Sequence, residues 1–106
     1  NDDFIKYNQL SKLPNVKREL NFLLESNVKY NEIENYILNQ SNIKNLNKMT
    51  LSDVYEDDKL PKGKKSYTLN FTLLDQIKTL SEKEISLTMN KIQSKIESKF
   101  NAELRS

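Results

Sequence analysis

The sequence of 106 residues contains no cysteine and no histidine. Without cysteine there is no disulfide and no thiolate metal site. Without histidine the commonest general base and the commonest metal ligand are both missing. Ser-His-Asp hydrolases and metallohydrolases are therefore excluded as interpretations of this chain, and we predict no metal site.

Arginine and glycine are also scarce. The only arginines among the 17 basic residues are Arg18 and Arg105, and the only glycine is Gly63. Arginine suits bidentate and stacked recognition better than lysine does, so both positions become candidate ligand contacts. The net charge of +2 is too small to indicate nucleic-acid binding by itself.

Long apolar runs are missing as well. No stretch approaches the roughly 20 apolar residues that span a bilayer, so we expect no membrane partner. No signal peptide is recognisable, and the chain begins with asparagine instead of methionine. This start is typical of a domain taken from a longer cytoplasmic protein, although removal of a tag would leave the same start. The length suits a single domain.

Residues 66–73 alternate without a break between polar and apolar side chains. A period of two predicts a strand with one buried face and one polar face. The polar face should form an open surface of small hydroxyl and amide groups, and a basic turn at residues 62–65 precedes it. The polar set is Ser66, Thr68, Asn70 and Thr72, and the apolar set is Tyr67, Leu69, Phe71 and Leu73.

Strands are also predicted for residues 18–25 and 101–105, which alternate in the same way. The last segment is short, and its alternation should place Arg105 on the open face.

A fourth strand is predicted for residues 48–56, where the alternation slips. Val54 falls out of phase with the apolar residues before it. One bulged residue near Ser52 or Asp53 would restore the pattern. The position of this bulge leaves open which face of the sheet Asp53 and Tyr55 take.

Two helices are predicted between these strands. The first covers residues 30–39. The second begins after Ser81, which forms an S-x-x-E capping box with Glu84. At its end, Asn101 suits the left-handed position where glycine is usual. The apolar stripe of the second helix is Ile85, Met89, Ile92, Ile96 and Phe100.

The order strand, helix, strand, strand, helix, strand is that of the ferredoxin-like split βαβ fold. We therefore predict an α+β domain at residues 18–106, in which two helices cover one face of a four-stranded antiparallel sheet. Residues 1–17 show no clean period, and we interpret them as an extended N-terminal arm.

Five short pieces of this sequence carry a family resemblance. They are Pro14-x-Val16-x-Arg18-Glu19-Leu20, Asp53-Val54-Tyr55, Gly63-Lys64-Lys65-Ser66-Tyr67, Lys78-Thr79-Leu80 with Glu84, and Ala102-Glu103-Leu104-Arg105. In order and spacing the chain resembles, from about Leu10 onward, the ferredoxin-fold anticodon-binding domain at the C-terminus of the bacterial phenylalanyl-tRNA synthetase β chain. It departs from the family at Glu19, where aspartate is usual, and at Asn101, where glycine is usual.

The resemblance implies a non-catalytic module that docks on the anticodon stem-loop of tRNA(Phe). Aminoacylation would take place on the α chain of an (αβ)2 heterotetramer, where ATP and Mg²⁺ act, and this domain would need no cofactor. Carried onto this sequence, the family's RNA contacts fall on the open sheet face and its rim. They are Asp53 for a guanine edge, Tyr55 for stacking on an unpaired base, and Ser66 and Arg105 for base edges or phosphate.

Three further basic residues are candidate phosphate contacts. Lys64 and Lys65 lie in the basic turn, which otherwise serves only solubility. Arg18 contacts phosphate or forms an ion pair with a carboxylate, and the sequence leaves both open.

Other functions of the same fold are less compatible with these residues. An RNA-recognition motif stacks bases on aromatic residues of its third strand, but here those aromatics face the core. An acyl-phosphate hydrolase needs an anion-binding loop after the first strand, and residues 26–29 contain neither glycine nor arginine. The remaining alternative is a protein-interaction or regulatory domain that associates through its strand edges and does not bind RNA.

Overall fold

The computed structural model describes residues 14–105, which form a four-stranded antiparallel sheet with two helices packed on one face. This is the predicted ferredoxin-like α+β fold. The spatial order of the strands is β2-β3-β1-β4. The elements are β1 (Val16–Glu25), α1 (Tyr30–Asn35) with a π-helical turn (Tyr36–Gln40), β2 (Leu46–Tyr55), β3 (Lys64–Leu73), α2 (Glu82–Phe100) and β4 (Glu103–Leu104).

Some boundaries differ from the predicted ones. Strand β1 begins at Val16, two residues earlier than predicted, and the predicted helix at residues 30–39 changes from α to π geometry at Tyr36. A Ser41 hydroxyl donates to the Tyr36 carbonyl at 2.8 Å and closes this turn. Most of the predicted N-terminal arm lies outside the described residues.

Strand β3 lies in the middle of the core. All four apolar residues of its alternating pattern are buried, as predicted. The Tyr67 hydroxyl donates to the Val28 carbonyl, so its burial leaves no unsatisfied donor. Both helices pack against this face through buried isoleucines, which are Ile33, Ile37, Ile85, Ile92 and Ile96.

The N-terminus of α2 is capped as predicted. The Glu84 amide donates to Ser81 Oγ at 3.1 Å, and the Ser81 amide donates back to Glu84 Oε1 at 2.9 Å. Lys78 Nζ lies 2.7 Å from Glu84 Oε2. The hydrogen bond from Lys78, together with that from the Ser81 amide, lowers the pKa of Glu84 from its ordinary value of 4.5 to about 2. At the other end, Asn101 takes the left-handed conformation with φ 54°.

This low pKa makes the stability of the fold depend on pH. A carboxylate with a depressed folded-state pKa contributes stability above its unfolded pKa and loses it as the pH falls toward its folded pKa. We therefore expect Glu84→Gln to flatten the fall in the free energy of unfolding between about pH 5 and pH 2. Urea unfolding at a series of pH values measures this, and Lys78→Gln should flatten the same range. A wild-type pH profile in Glu84→Gln would contradict the prediction.

Candidate nucleic-acid interface

The sheet face opposite the helices is open and carries mainly polar side chains. In an antiparallel sheet, residues directly opposite each other project to the same face, so the pairing register defines the rows of this surface. We call it the open face. Its four rows across β1, β3 and β2 are Lys17–Thr72–Lys48, Glu19–Asn70–Thr50, Asn21–Thr68–Asp53 and Leu23–Ser66–Tyr55.

A bulge in β2 places two candidate residues on the open face. Leu51 pairs with Leu69 on the core face, but the next paired residue is Asp53, opposite Thr68. Ser52 is therefore the extra residue, as predicted. Without it, Asp53 and Tyr55 would have the core-facing phase of Leu51. The bulge resolves the question that the sequence left open.

Tyr55 presents an exposed ring with a fixed hydroxyl. Its side chain is 44% exposed, and its hydroxyl donates to Asp57 Oδ2. Asp57 is itself held by the Lys59 amide, which donates to its Oδ1 at 2.6 Å. The hydrogen bond to Asp57 raises the pKa of Tyr55, so the phenol stays neutral well above pH 7. Among residues 14–105, Tyr55 is the only aromatic in the open-face rows, which makes it the stacking surface available there.

Arg105 approaches the same end of the open face from β4. Its amide donates to the Asn21 carbonyl at 2.7 Å, which fixes the backbone beside β1. The side chain is exposed. The positive charge of Arg105 favours the phenolate form of Tyr55. It therefore partly opposes the rise in the Tyr55 pKa that the hydrogen bond to Asp57 causes. Arg105 and Tyr55 therefore share one face of the sheet, from opposite edges.

Ser66 lies on the predicted face but not at the surface. The sequence predicted an exposed hydroxyl, whereas Ser66 is only 3% exposed, and its partner Leu23 is also buried. Its Oγ donates to Asn21 Oδ1 at 3.0 Å, and Asn21 Nδ2 donates to Thr68 Oγ1 at 2.6 Å. This hydrogen-bonded chain links β1 and β3 under the open face, so Ser66 has a structural role in addition to any contact with a ligand.

The three further basic candidates do not lie together. Arg18 pairs with Phe71 and Lys65 pairs with Leu24, so both project toward the helix side of the sheet. Lys64 projects to the open face, where its Nζ lies 3.2 Å from Glu25 Oε2. Only Lys64 of the three therefore lies on the open face, two residues before Ser66, the residue that pairs with Tyr55.

Sequence reasoning missed two residues that shape this interface. Asn21 connects Ser66 to Thr68, and Asp57 holds the Tyr55 ring. The open-face phase of Asn21 in the first predicted strand was an available signal. No pattern in the sequence marks Asp57, because it follows the end of a bulged strand.

The described residues lack two further features. Between residues 14 and 105, no group of three or more acidic side chains is placed to hold a metal ion. No helix in that range is long and apolar enough to cross a membrane.

Comparison with known proteins gives consistent matches. The family model of the ferredoxin-fold anticodon binding domain matches residues 11–105. The chain is 44% identical over 101 residues to the phenylalanine–tRNA ligase beta subunit of Bacteroides thetaiotaomicron, which covers 95% of this chain. It is 43% identical over 96 residues to that of Porphyromonas gingivalis, and 37% identical over 100 residues to that of Clostridium acetobutylicum, with 91% and 94% of the chain covered.

The chain spans only 12% of the length of these relatives. The matched region includes every strand and helix described above and all the candidate contacts on the open face. The family model covers almost the whole described sheet-and-helix domain, and the chain belongs to the ferredoxin-fold anticodon-binding domain family.

Proposed function

We propose that this chain is the anticodon-binding module of a phenylalanine–tRNA ligase β subunit and that it binds the anticodon stem-loop of tRNA(Phe). The module itself carries out no chemistry. Aminoacylation takes place on the α chain of a cytoplasmic (αβ)2 enzyme, where ATP and Mg²⁺ are used. The relatives are phenylalanine–tRNA ligase beta subunits, which supports the assignment to that enzyme. The side chains on the open face support RNA binding by this module.

The observation that carries this proposal is that three candidate side chains share the helix-free face. The Ser52 bulge directs Asp53 and Tyr55 to that face, and Arg105 reaches it from the opposite edge. A carboxylate, an exposed aromatic ring and a guanidinium are the groups that recognise unpaired bases and their phosphates. Lys64 and the largely buried Ser66 lie on the same face and complete the proposed contact set.

The alternative without RNA, association through a strand edge, has less support. Strand β2 lies at the edge of the sheet and exposes Val54. However, β2 contains two register shifts, between Leu46 and Lys48 and between Leu51 and Asp53. Bulges interrupt the ladder and are a common way to protect an edge from pairing with another strand.

A binding titration tests the proposal directly. The chain is titrated into a fluorescent RNA hairpin with the anticodon stem and loop of tRNA(Phe), and into a hairpin with the same stem and a scrambled loop. We expect tighter binding to the native loop, because base contacts carry sequence information and phosphate contacts do not. The affinity should also fall steeply with salt.

The two hairpins separate the parts of the proposal. Equal affinity for both loops would remove the reading of sequence and leave only general RNA binding. No binding of either hairpin would favour the protein-interaction alternative. The assembled enzyme provides the second measurement, since Tyr55→Ala should then raise the KM for tRNA without changing the KM for phenylalanine.

A further inference from the structure

A second feature of the open face lies at the end far from Tyr55. We infer that Lys17 and Lys48, together with Thr72 between them, form a binding site for a backbone phosphate of the RNA. We call these three residues the lysine row. The inference rests on the proposed function, because it extends the same RNA-binding surface from base recognition at one end to phosphate binding at the other.

The pairing register places the two lysines on either side of one hydroxyl. Thr72 pairs with Lys17 of β1 and with Lys48 of β2, so the three lie in a straight row across the sheet. Since neighbouring strands are about 4.8 Å apart, the two lysine backbones are about 10 Å apart. Two long ammonium side chains at this spacing can converge on one anion above Thr72, whose hydroxyl is an additional donor.

Lys48 reaches the open face only because of a bulge. Leu46 pairs with Leu73 on the core face, and the next paired residue is Lys48, opposite Thr72. Asn47 is the extra residue. Without it, Lys48 would share the core-facing phase of Leu46. Each of the two bulges in β2 therefore turns candidate RNA contacts to the open face. The bulge at Asn47 does so for Lys48, and the bulge at Ser52 does so for Asp53 and Tyr55. Bulges commonly re-aim side chains at functional sites.

The surface at the lysine row is concave and has a single sign of charge. A depression of about 300 Å³ lies there, and its only charged lining residues are the two lysines. The polar lining comes from Thr50, Asn70 and Thr72. Glu19 lies one row away but does not line the depression. Neither lysine forms an ion pair within residues 14–105. The site thus offers donors and positive charge, as phosphate requires.

The position of the row fits a backbone contact better than a base contact. It contains no aromatic ring for stacking and no guanidinium for bidentate readout. Thr72 lies six residues from Ser66 along β3, which corresponds to about 20 Å. The row can therefore hold the RNA backbone at a distance while Tyr55 and Arg105 meet the loop bases, and phosphate contacts of this kind fix orientation without reading sequence.

The test compares two variants with the same loss of charge. Lys17→Gln/Lys48→Gln changes the lysine row, and Lys83→Gln/Lys91→Gln changes two exposed lysines of α2 on the other side of the sheet. Each is titrated with the native-loop and scrambled-loop hairpins at several salt concentrations. For one lost phosphate contact, the slope of log affinity against log salt should become shallower by about 0.7 to 0.9. The affinity at 0.1 M salt should fall by about five- to eightfold by the same relation.

The expected loss is equal for both hairpins and is absent in the α2 variant. If the two double variants have the same RNA affinity and the same salt slope, the lysine row is not a phosphate site. The proposed function still holds in that case, provided that the wild type prefers the native loop. If the wild type binds both loops with equal affinity but the lysine-row variant binds them more weakly, the proposed sequence recognition is wrong and the proposed phosphate site is supported. If the wild type binds neither RNA, both proposals are overturned.

Discussion

Replacing Phe71 with alanine is expected to lower the free energy of unfolding by about 3–5 kcal/mol. The side chain is fully buried in the central strand β3, between β1 and β2, and belongs to the cluster that joins the sheet to both helices. Its loss removes apolar contact area and leaves a cavity that its neighbours fill only in part, because Phe22, Leu69 and Ile92 are themselves fixed in the core. The urea midpoint should fall while the m value stays unchanged.

Val54→Ala is the matched control for this experiment. Val54 lies in the same sheet but is 42% exposed on the edge strand. Truncation of an exposed side chain away from special features usually changes stability by about 0.5 kcal/mol or less. A Phe71→Ala variant no less stable than Val54→Ala would mean that β3 does not face the helices as described.

The fold was predictable because local signals in the sequence agree with one another. The alternation in residues 66–73 identifies both the central strand and its buried face, and Tyr67 and Phe71 are buried accordingly. The capping box at Ser81 marks the start of α2 to the residue. These signals depend on short-range chemistry, namely side-chain period and hydrogen bonds three residues apart, so no tertiary contact is needed to recognise them.

The candidate site was harder to predict because it depends on bulges. A bulge reverses the face of every later residue in its strand. The slip at Val54 revealed the bulge at Ser52 but not the face on which Tyr55 would lie. The bulge at Asn47 left no signal, since Leu46 is the only apolar residue before it in β2. Lys48 therefore could not be assigned to the open face from sequence.

The burial of Ser66 on the open face also could not be predicted from the alternation of polar and apolar residues. Alternation tells which way Ser66 points but not what lies beside it. The hydrogen bonds from Ser66 to Asn21 and from Asn21 to Thr68 connect residues more than 40 positions apart, and only the paired strands bring them together. The sequence also placed Lys64 and Lys65 in a turn, whereas β3 already begins at Lys64. As neighbours in a strand, the two lysines therefore point to opposite faces.

Tyr55→Ala and Arg105→Ala are expected to weaken binding of the native-loop hairpin without unfolding the protein. Loss of one base–aromatic stack costs about 1–3 kcal/mol, which is a loss of roughly 5- to 150-fold in affinity. Loss of an arginine contact to a base has a similar cost, about 1–3 kcal/mol. Both side chains are exposed, so each thermal midpoint should shift by no more than about 4 °C.

Two conservative variants show which property of each side chain matters. Tyr55→Phe keeps the ring but loses the hydrogen bond to Asp57, so it should retain most of the affinity if stacking is the main contribution. Arg105→Lys keeps the charge but loses the planar fork, so it should lose discrimination between the two loops more than it loses total affinity. A large fall in thermal midpoint in Tyr55→Ala or Arg105→Ala would instead assign these residues to the structure. Unchanged affinity in both, at full stability, would remove them from the RNA-binding surface, because no other aromatic in the open-face rows of residues 14–105 can replace the Tyr55 ring.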